Sequence, residues 1–385
     1  MKHILLWQTS PLLKSIIFII ICVLYFPKLS FAYEGLSKNP STRAMGMAGV
    51  FSAQSDDSSA IWYNPGAIAL YRYISTDITV ELGQRPISGG NIDSLDNNIY
   101  ENSDSETTLN FLAAYTRNIP FLKNNRYVGI GLSYFSPYNL QINIDAPINT
   151  ISEIPYGYIN AKYHQFSTLI STRAHNKLSL GATFDFFWVD IECLQFQPCV
   201  QTGPTAIGTK IGALFEAHHS KVYSLKFSAV WHSRAKTKFI SKPNSGIGSV
   251  LNEYLPDRPE LYGLGASFQK PTPWMLITSN LSYEIVKWSA STEQGFALTD
   301  YHNIGIGFEF MSNVKNGNSI GLRVGSKLLQ SKESTSSDVL VSAIGFGYEI
   351  MKSQIIDIAI EHRRFNGIDN NSNYITLSYA WQKIK

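Results

Sequence analysis

From about residue 73 to residue 381 apolar side chains recur at every second position, in segments of roughly ten residues separated by Gly, Asn, Pro, Ser or Lys. Val128, Ile130, Leu132 and Tyr134 form one face of such a segment, with Gly129, Gly131 and Ser133 on the other. Leu178, Leu180, Ala182, Phe184, Phe186 and Trp188 alternate in the same way with Gly181, Thr183 and Asp185. Side chains on a strand point alternately to its two faces, so one face wants hydrocarbon and the other wants polar or close-packed contact. Fourteen segments fit: 73–84, 106–118, 127–140, 158–174, 178–190, 206–218, 223–240, 261–270, 276–289, 300–312, 318–330, 338–351, 355–365 and 373–381.

Their connections sort by length. The odd-numbered ones are mostly long, such as 85–105, 141–157 and 241–260, whereas the even-numbered ones are mostly tight, such as 175–177, 219–222 and 352–354. An even strand count with long loops on one rim and short turns on the other is the pattern of an outer-membrane barrel. Composition agrees: of 385 residues only 16% are charged, while Gly (27), Tyr (21) and Phe (21) are abundant. A mean hydropathy of −0.06 excludes a polytopic helical membrane protein. The expected fold is therefore all-β, a 14-stranded antiparallel transmembrane β-barrel. The row Ile375, Leu377, Tyr379, Trp381 closes the last segment, with Gln382 to Lys385 expected as a short tail.

Residues 1–32 read as a secretory signal: Lys2 and Lys14, the apolar run Ile16 to Phe26, then Ser30-Phe31-Ala32 before a mature start at Tyr33. Its removal takes away three Lys and no acid, leaving 29 basic against 29 acidic residues. A neutral mature chain argues against a nucleic-acid partner. Export would let Cys193 and Cys199 form a disulfide; the alternatives are two free thiols or a metal pair, for which no nearby His or third Cys provides support.

Residues 33–72 depart from the rhythm. The string Arg43-Ala44-Met45-Gly46-Met47-Ala48-Gly49, the run Asp56-Asp57-Ser58-Ser59-Ala60 and the element Asn64-Pro65-Gly66-Ala67 read as a compact Gly-rich plug. Together they resemble the N-terminal hatch of the FadL-type outer-membrane transporters of long-chain fatty acids and other hydrophobic compounds, where the last element is usually Asn-Pro-Ala. Phe135-Ser136-Pro137-Tyr138 resembles that family's third strand; Leu255-Pro256 to Gly265, with Lys287-Trp288-Ser289, resembles its central strands. The resemblance implies three parts: a signal peptide (1–32), a hatch or plug (33–72) and a barrel (73–385) in the bacterial outer membrane.

It also implies a route. A hydrophobic ligand, a fatty acid by default, is captured by the outer loops, enters an apolar pocket and leaves sideways into outer-membrane lipid where the third strand is kinked. The hatch, with Gly46, Gly49, Asn64, Pro65 and Gly66, acts as the gate. Pro137 cannot donate a ladder bond, so Phe135-Ser136-Pro137 is the candidate lateral opening; alternatively Pro137 only starts the next loop. Candidate capture residues are Phe196, Leu251, Tyr254 and Leu255, the last three in a short amphipathic stretch with Ile247 and Val250, and Arg258 is a candidate partner for a carboxylate. Inward acids and bases such as Asp185, Glu284, Glu309, Arg323, Lys327, Asp357, Glu361 and Arg363 are expected to pair and hold the plug. No nucleophile elbow, phosphate loop or zinc pattern appears, so no enzyme, cofactor or metal is expected, and a monomer is the default. Alternatives are a barrel scaffold or shuttle for protein secretion or attachment, and an outer-membrane lipid enzyme.

Overall fold

The computed structural model describes residues 39–70, 73–86, 103–118, 127–137, 139–144, 157–194, 205–236, 257–289, 300–314, 317–332, 338–351, 353–365 and 371–384. The signal segment, and Phe196, Cys199, Leu251, Tyr254 and Leu255, lie outside them. Fifteen strands follow a short helical segment: β1 (Tyr73–Pro86), β2 (Ser103–Asn118), β3 (Tyr127–Phe135), β4 (Asn139–Ile144), β5 (Gly157–His175), β6 (Leu178–Leu194), β7 (Thr205–His219) and β8 (Ser224–His232). They continue with β9 (Glu260–Pro271), β10 (Met275–Lys287), β11 (Tyr301–Asn313), β12 (Ser319–Ser331), β13 (Val339–Ile350), β14 (Gln354–Phe365) and β15 (Asn371–Ile384). Sequence neighbours pair antiparallel except β3 and β4, which both pair with β5; β1 pairs with β15. These pairings close the sheet. Because β3 and β4 are two halves of one interrupted strand on β5, the architecture is a closed fourteen-stranded barrel.

Alternation sets the two faces. Ile130, Leu132, Phe184, Ile304 and Leu377 point outward and are exposed, whereas Gly129, Ser133, Asp185, Asn303 and Thr376 point inward and are buried. An apolar band this continuous around a barrel is a surface for hydrocarbon, since soluble proteins rarely expose such an area. Among the described residues no helix is long and apolar enough to cross a membrane.

Three expected boundaries change. The third segment is not continuous over 127–140: it breaks at residues 136–138. The seventh ends at His232: Ser233 N–H still reaches Thr209 O at 2.8 Å, but the return bond is lost, because Thr209 N–H donates to Ser233 Oγ at 2.9 Å and Arg258 takes the Ser233 carbonyl. The last strand runs on to Ile384, which is opposite Tyr73 of β1, so Gln382–Ile384 belong to the ladder rather than to a tail.

Residues 40–70 fill the bore. Helix α1 (Thr42–Met45), helix α2 (Ala60–Tyr63) and a 3-10 turn over Pro65–Ala69 are almost wholly buried inside the barrel. Each helix is one turn long, too short to persist alone; the wall holds it. Helix α1 packs on β13, β14 and β15, and the 3-10 turn packs on β5, β6 and β7, so the segment crosses the lumen.

Candidate functional site

Small residues on the inner wall let the plug approach at backbone distance. Asn64 and Pro65 lie against Gly181 of β6 and Gly212 of β7; an added Cβ at Gly181 would stand 2.2 Å from Pro65 O, and one at Gly212 2.2 Å from Asn64 Oδ1. Across the lumen the backbone of Met47 lies on Gly325 of β12, and Gly46 lies on Gly345 of β13. Gly49 has φ +74°, a conformation that favours glycine, and Asn39 Oδ1 fills the space where its Cβ would be. Asn64 fastens its end with three hydrogen bonds: its amide donates to Ser52 O at 3.1 Å and Ala213 O at 3.0 Å, and its Oδ1 accepts from Gly66 N at 3.0 Å.

Charge locks the side of the plug nearer the short turns. Arg43 donates to Glu309 through Nε at 2.8 Å and Nη2 at 2.7 Å, and to Asp56 through Nη1 at 2.6 Å. Glu309 also accepts from Arg323 at 2.7 Å and from Gln54 at 2.6 Å, and Arg323 bridges to Asp357 at 2.5 Å. Asp57 accepts from Arg43 Nη1 at 3.3 Å and also caps its own loop, accepting from Ser59 N at 2.9 Å. Burial pushes the Asp57 carboxyl above its ordinary range, against the opposing pull of Arg43.

A second cluster sits where the plug faces the long-loop rim. Asp185 accepts from Arg258 Nη1 at 2.6 Å and lies 3.6 Å from Lys210 Nζ. Lys210, fully buried, donates to Ile61 O at 3.2 Å and stands 4.3 Å above the Trp62 ring. Trp62 in turn meets Phe135 edge-on, ring centroids 4.7 Å apart, and His232 at 5.4 Å. Arg258, the candidate for meeting a carboxylate, is thus committed to Asp185 and to the carbonyls of Ser233 and Thr209.

Above the plug lies a cavity of about 70 Å³. Its apolar wall includes Trp62, Leu261, Val286, Trp288, Tyr301 and Leu329, and its charged lining is Arg258, Lys327, Arg363, Glu284 and Glu361.

Behind Trp62 and Phe135 the wall itself is interrupted. β5 pairs Gln165 with Phe135 of β3 and Lys162 with Asn139 of β4, so the step from β3 to β4 is one residue longer than the matching step along β5. That extra residue is a bulge. Ser136 holds it through Oγ to Tyr163 O at 2.7 Å, and Pro137 supplies no N–H. β2 pairs with β3 only from Phe111 to Asn118; among the described residues its Ser103–Asn110 half has β1 on one side and no ladder partner on the side facing β4. The cavity, Trp62, Phe135 and the gap form one continuous set of neighbours.

Phe135, Ser136 and Pro137 are all buried at this break, whereas Gly46, Gly49, Asn64, Pro65 and Gly66 are all in the plug. Cys193 lies in β6 opposite Ile159, and its expected partner lies outside the described residues. Sequence reasoning missed Lys210, Gln54 and the role of the wall glycines as plug seats. The only signal was that the inward rows carry Gly or Ser where lumen side chains would otherwise stand.

No family model and no curated protein matches the chain. Solved structures do. A Pseudomonas aeruginosa FadL homologue superposes with TM-score 0.53 at 13% identity, covering 92% of this chain and 99% of its own. The Ralstonia pickettii toluene transporter TbuX gives 0.55 at 13% identity over 89% of this chain and 97% of its own. The Pseudomonas putida toluene transporter TodX gives 0.51 at 11% over 92% and 98%. At such identity the likeness speaks to architecture, and it spans nearly the whole of each chain: this protein has the fourteen-stranded barrel fold of the FadL homologue and the toluene transporters.

Proposed function

We propose that this protein is a passive transporter of the bacterial outer membrane, taking up a hydrophobic compound and releasing it sideways into lipid. The observation that carries the reading is the wall gap between β2 and β4, with Trp62 and Phe135 standing between it and the cavity. A water-filled pore has no affinity for apolar solutes, whereas burial in such a cavity is worth roughly 0.8 kcal/mol per CH₂. Lateral exit then spares the ligand a return to water. Residues 39–70 act as the gate, because they fill the bore and leave the gap between β2 and β4 as the way out. Fatty acids and single-ring hydrocarbons are the two ligand classes that this family of shapes suggests, the second because toluene transporters share the fold.

Replacing Pro137 by Val restores a ladder donor at the bulge. Uptake of a radiolabelled hydrophobic ligand into cells should fall at least fivefold, with the heat-modifiable barrel still assembled. Unchanged uptake in an assembled P137V barrel would remove the lateral route. Replacing Asn64 by Ala cuts three plug hydrogen bonds, each worth about 0.5–1.5 kcal/mol net. Uptake kinetics should change while assembly persists; identical kinetics would count against the plug as gate.

A further inference from the structure

We infer that the cavity above the plug accepts an uncharged hydrophobic compound and rejects a carboxylate. The inference rests on the transport reading and names its ligand class. Every cation lining the cavity is already matched to an acid at contact distance: Arg258 to Asp185, Lys327 to Glu284 and Arg363 to Glu361, each at 2.6 Å. Three cations meet three carboxylates, and the remaining basic side chain of the lining, His232, sits edge-on to the Trp62 ring at 5.4 Å, so among the described lining residues no lysine or arginine is left over for a ligand. Lys210, the neighbouring extra cation, is sealed away. Its ammonium caps the Ile61 carbonyl under the Trp62 ring and is absent from the cavity lining.

An acid entering this space would carry an unpaired negative charge among paired ones. Either it is desolvated with no counter-ion, or it takes a cation from Glu284, Glu361 or Asp185 and leaves that residue stranded; both are unfavourable in a buried site. A neutral ring or alkyl chain meets neither difficulty. It lies against Trp62, Trp288, Tyr301, Leu261 and Val286, large flat or branched surfaces that reward apolar contact. The exit side agrees, since Trp62 and Phe135 present aromatic faces between cavity and gap.

The Lys327–Glu284 pair is the one best placed for a test. Both side chains line the cavity, and Glu284 also accepts from Asn303 at 3.1 Å, a bond that a glutamine oxygen can keep. Both bonds fall on the same oxygen, so Glu284→Gln can keep them while removing the negative charge, which leaves the charge of Lys327 uncompensated for an incoming anion.

Titration calorimetry on the full-length protein in detergent, with decanol against decanoate and toluene against benzoate at neutral pH, reads the preference directly. The wild type should bind the uncharged member of each pair at least tenfold more tightly, and E284Q should narrow the decanol-to-decanoate ratio by at least tenfold. Should E284Q fail to assemble, the wild-type series alone decides. Equal or tighter binding of the carboxylates by the wild type would overturn the inference while leaving transport intact. Failure of all four probes to bind, together with absent cellular uptake, would instead overturn the transport reading beneath it.

Discussion

Gly181→Val should yield an assembled barrel whose plug no longer seats, with single-channel conductance in planar bilayers rising at least tenfold over the wild type. The added Cβ would stand 2.2 Å from Pro65 O and 2.5 Å from Pro65 C, against backbone that cannot swing aside as a side chain would. β6 is held on both sides, by β5 and β7, so the wall is the stiffer partner and the plug is what moves. Loss of this contact also strains the Asn64 hydrogen bonds to Ala213 and Ser52, because Pro65 follows directly in the chain. Gly325→Val, opposite Met47, should act in the same way from the far wall. Ser326→Val, one residue along on the lipid-facing side, should leave conductance unchanged. A Gly181→Val barrel as silent as the wild type would mean that the plug adapts to its seat, and the close approach would lose its meaning.

Glu309→Leu should loosen the plug most of all. Its carboxylate receives Arg43, Arg323 and Gln54 together, and its removal leaves two buried guanidinium groups with Asp56, Asp57 and Asp357 as their remaining acids. Breaking a buried pair of this kind costs about 3–5 kcal/mol. If plug release is the local opening that exposes residues 39–70, limited proteolysis of that segment should accelerate on the order of a hundredfold or more. Glu216→Gln is the contrast: it removes a pair with the exposed His219 at the short-turn rim, and such surface pairs are worth about 0–1 kcal/mol. Similar proteolysis rates for the Glu309 and Glu216 variants would show that the ion lattice does not hold the plug.

These two predictions fall on residues whose sequence signals differ in kind. Glu309 and Arg323 were legible as inward charges, because Phe308 and Phe310 on either side of Glu309 belong to the outward row. That they meet Arg43 was not, since Arg43 and Glu309 are 266 positions apart and only closure of the barrel sets the register between α1 and β11. Gly181 was legible as a small inward residue, and Pro65 as part of a plug element, but nothing local joins them. Lys210 gave no warning: a lysine on an inward row reads as a lumen charge, and only the fold puts the Ile61 carbonyl and the Trp62 ring beside it. The break at 136–138 lay between. Proline there announced a lost ladder bond, yet whether the chain then became a loop or resumed as a strand depended on β5 extending far enough to receive Asn139–Ile144.

Period-two alternation, turn residues and loop lengths were sufficient by themselves for the strand count, the two faces and the existence of a separate buried segment, because each depends on neighbours within a dozen residues. The tertiary structure alone decided which inward glycines carry the plug, which cations are matched to which acids, and where the wall stays open. Those are contacts between strands and plug residues far apart in the chain, and their energies arise from register and burial once the cylinder has closed.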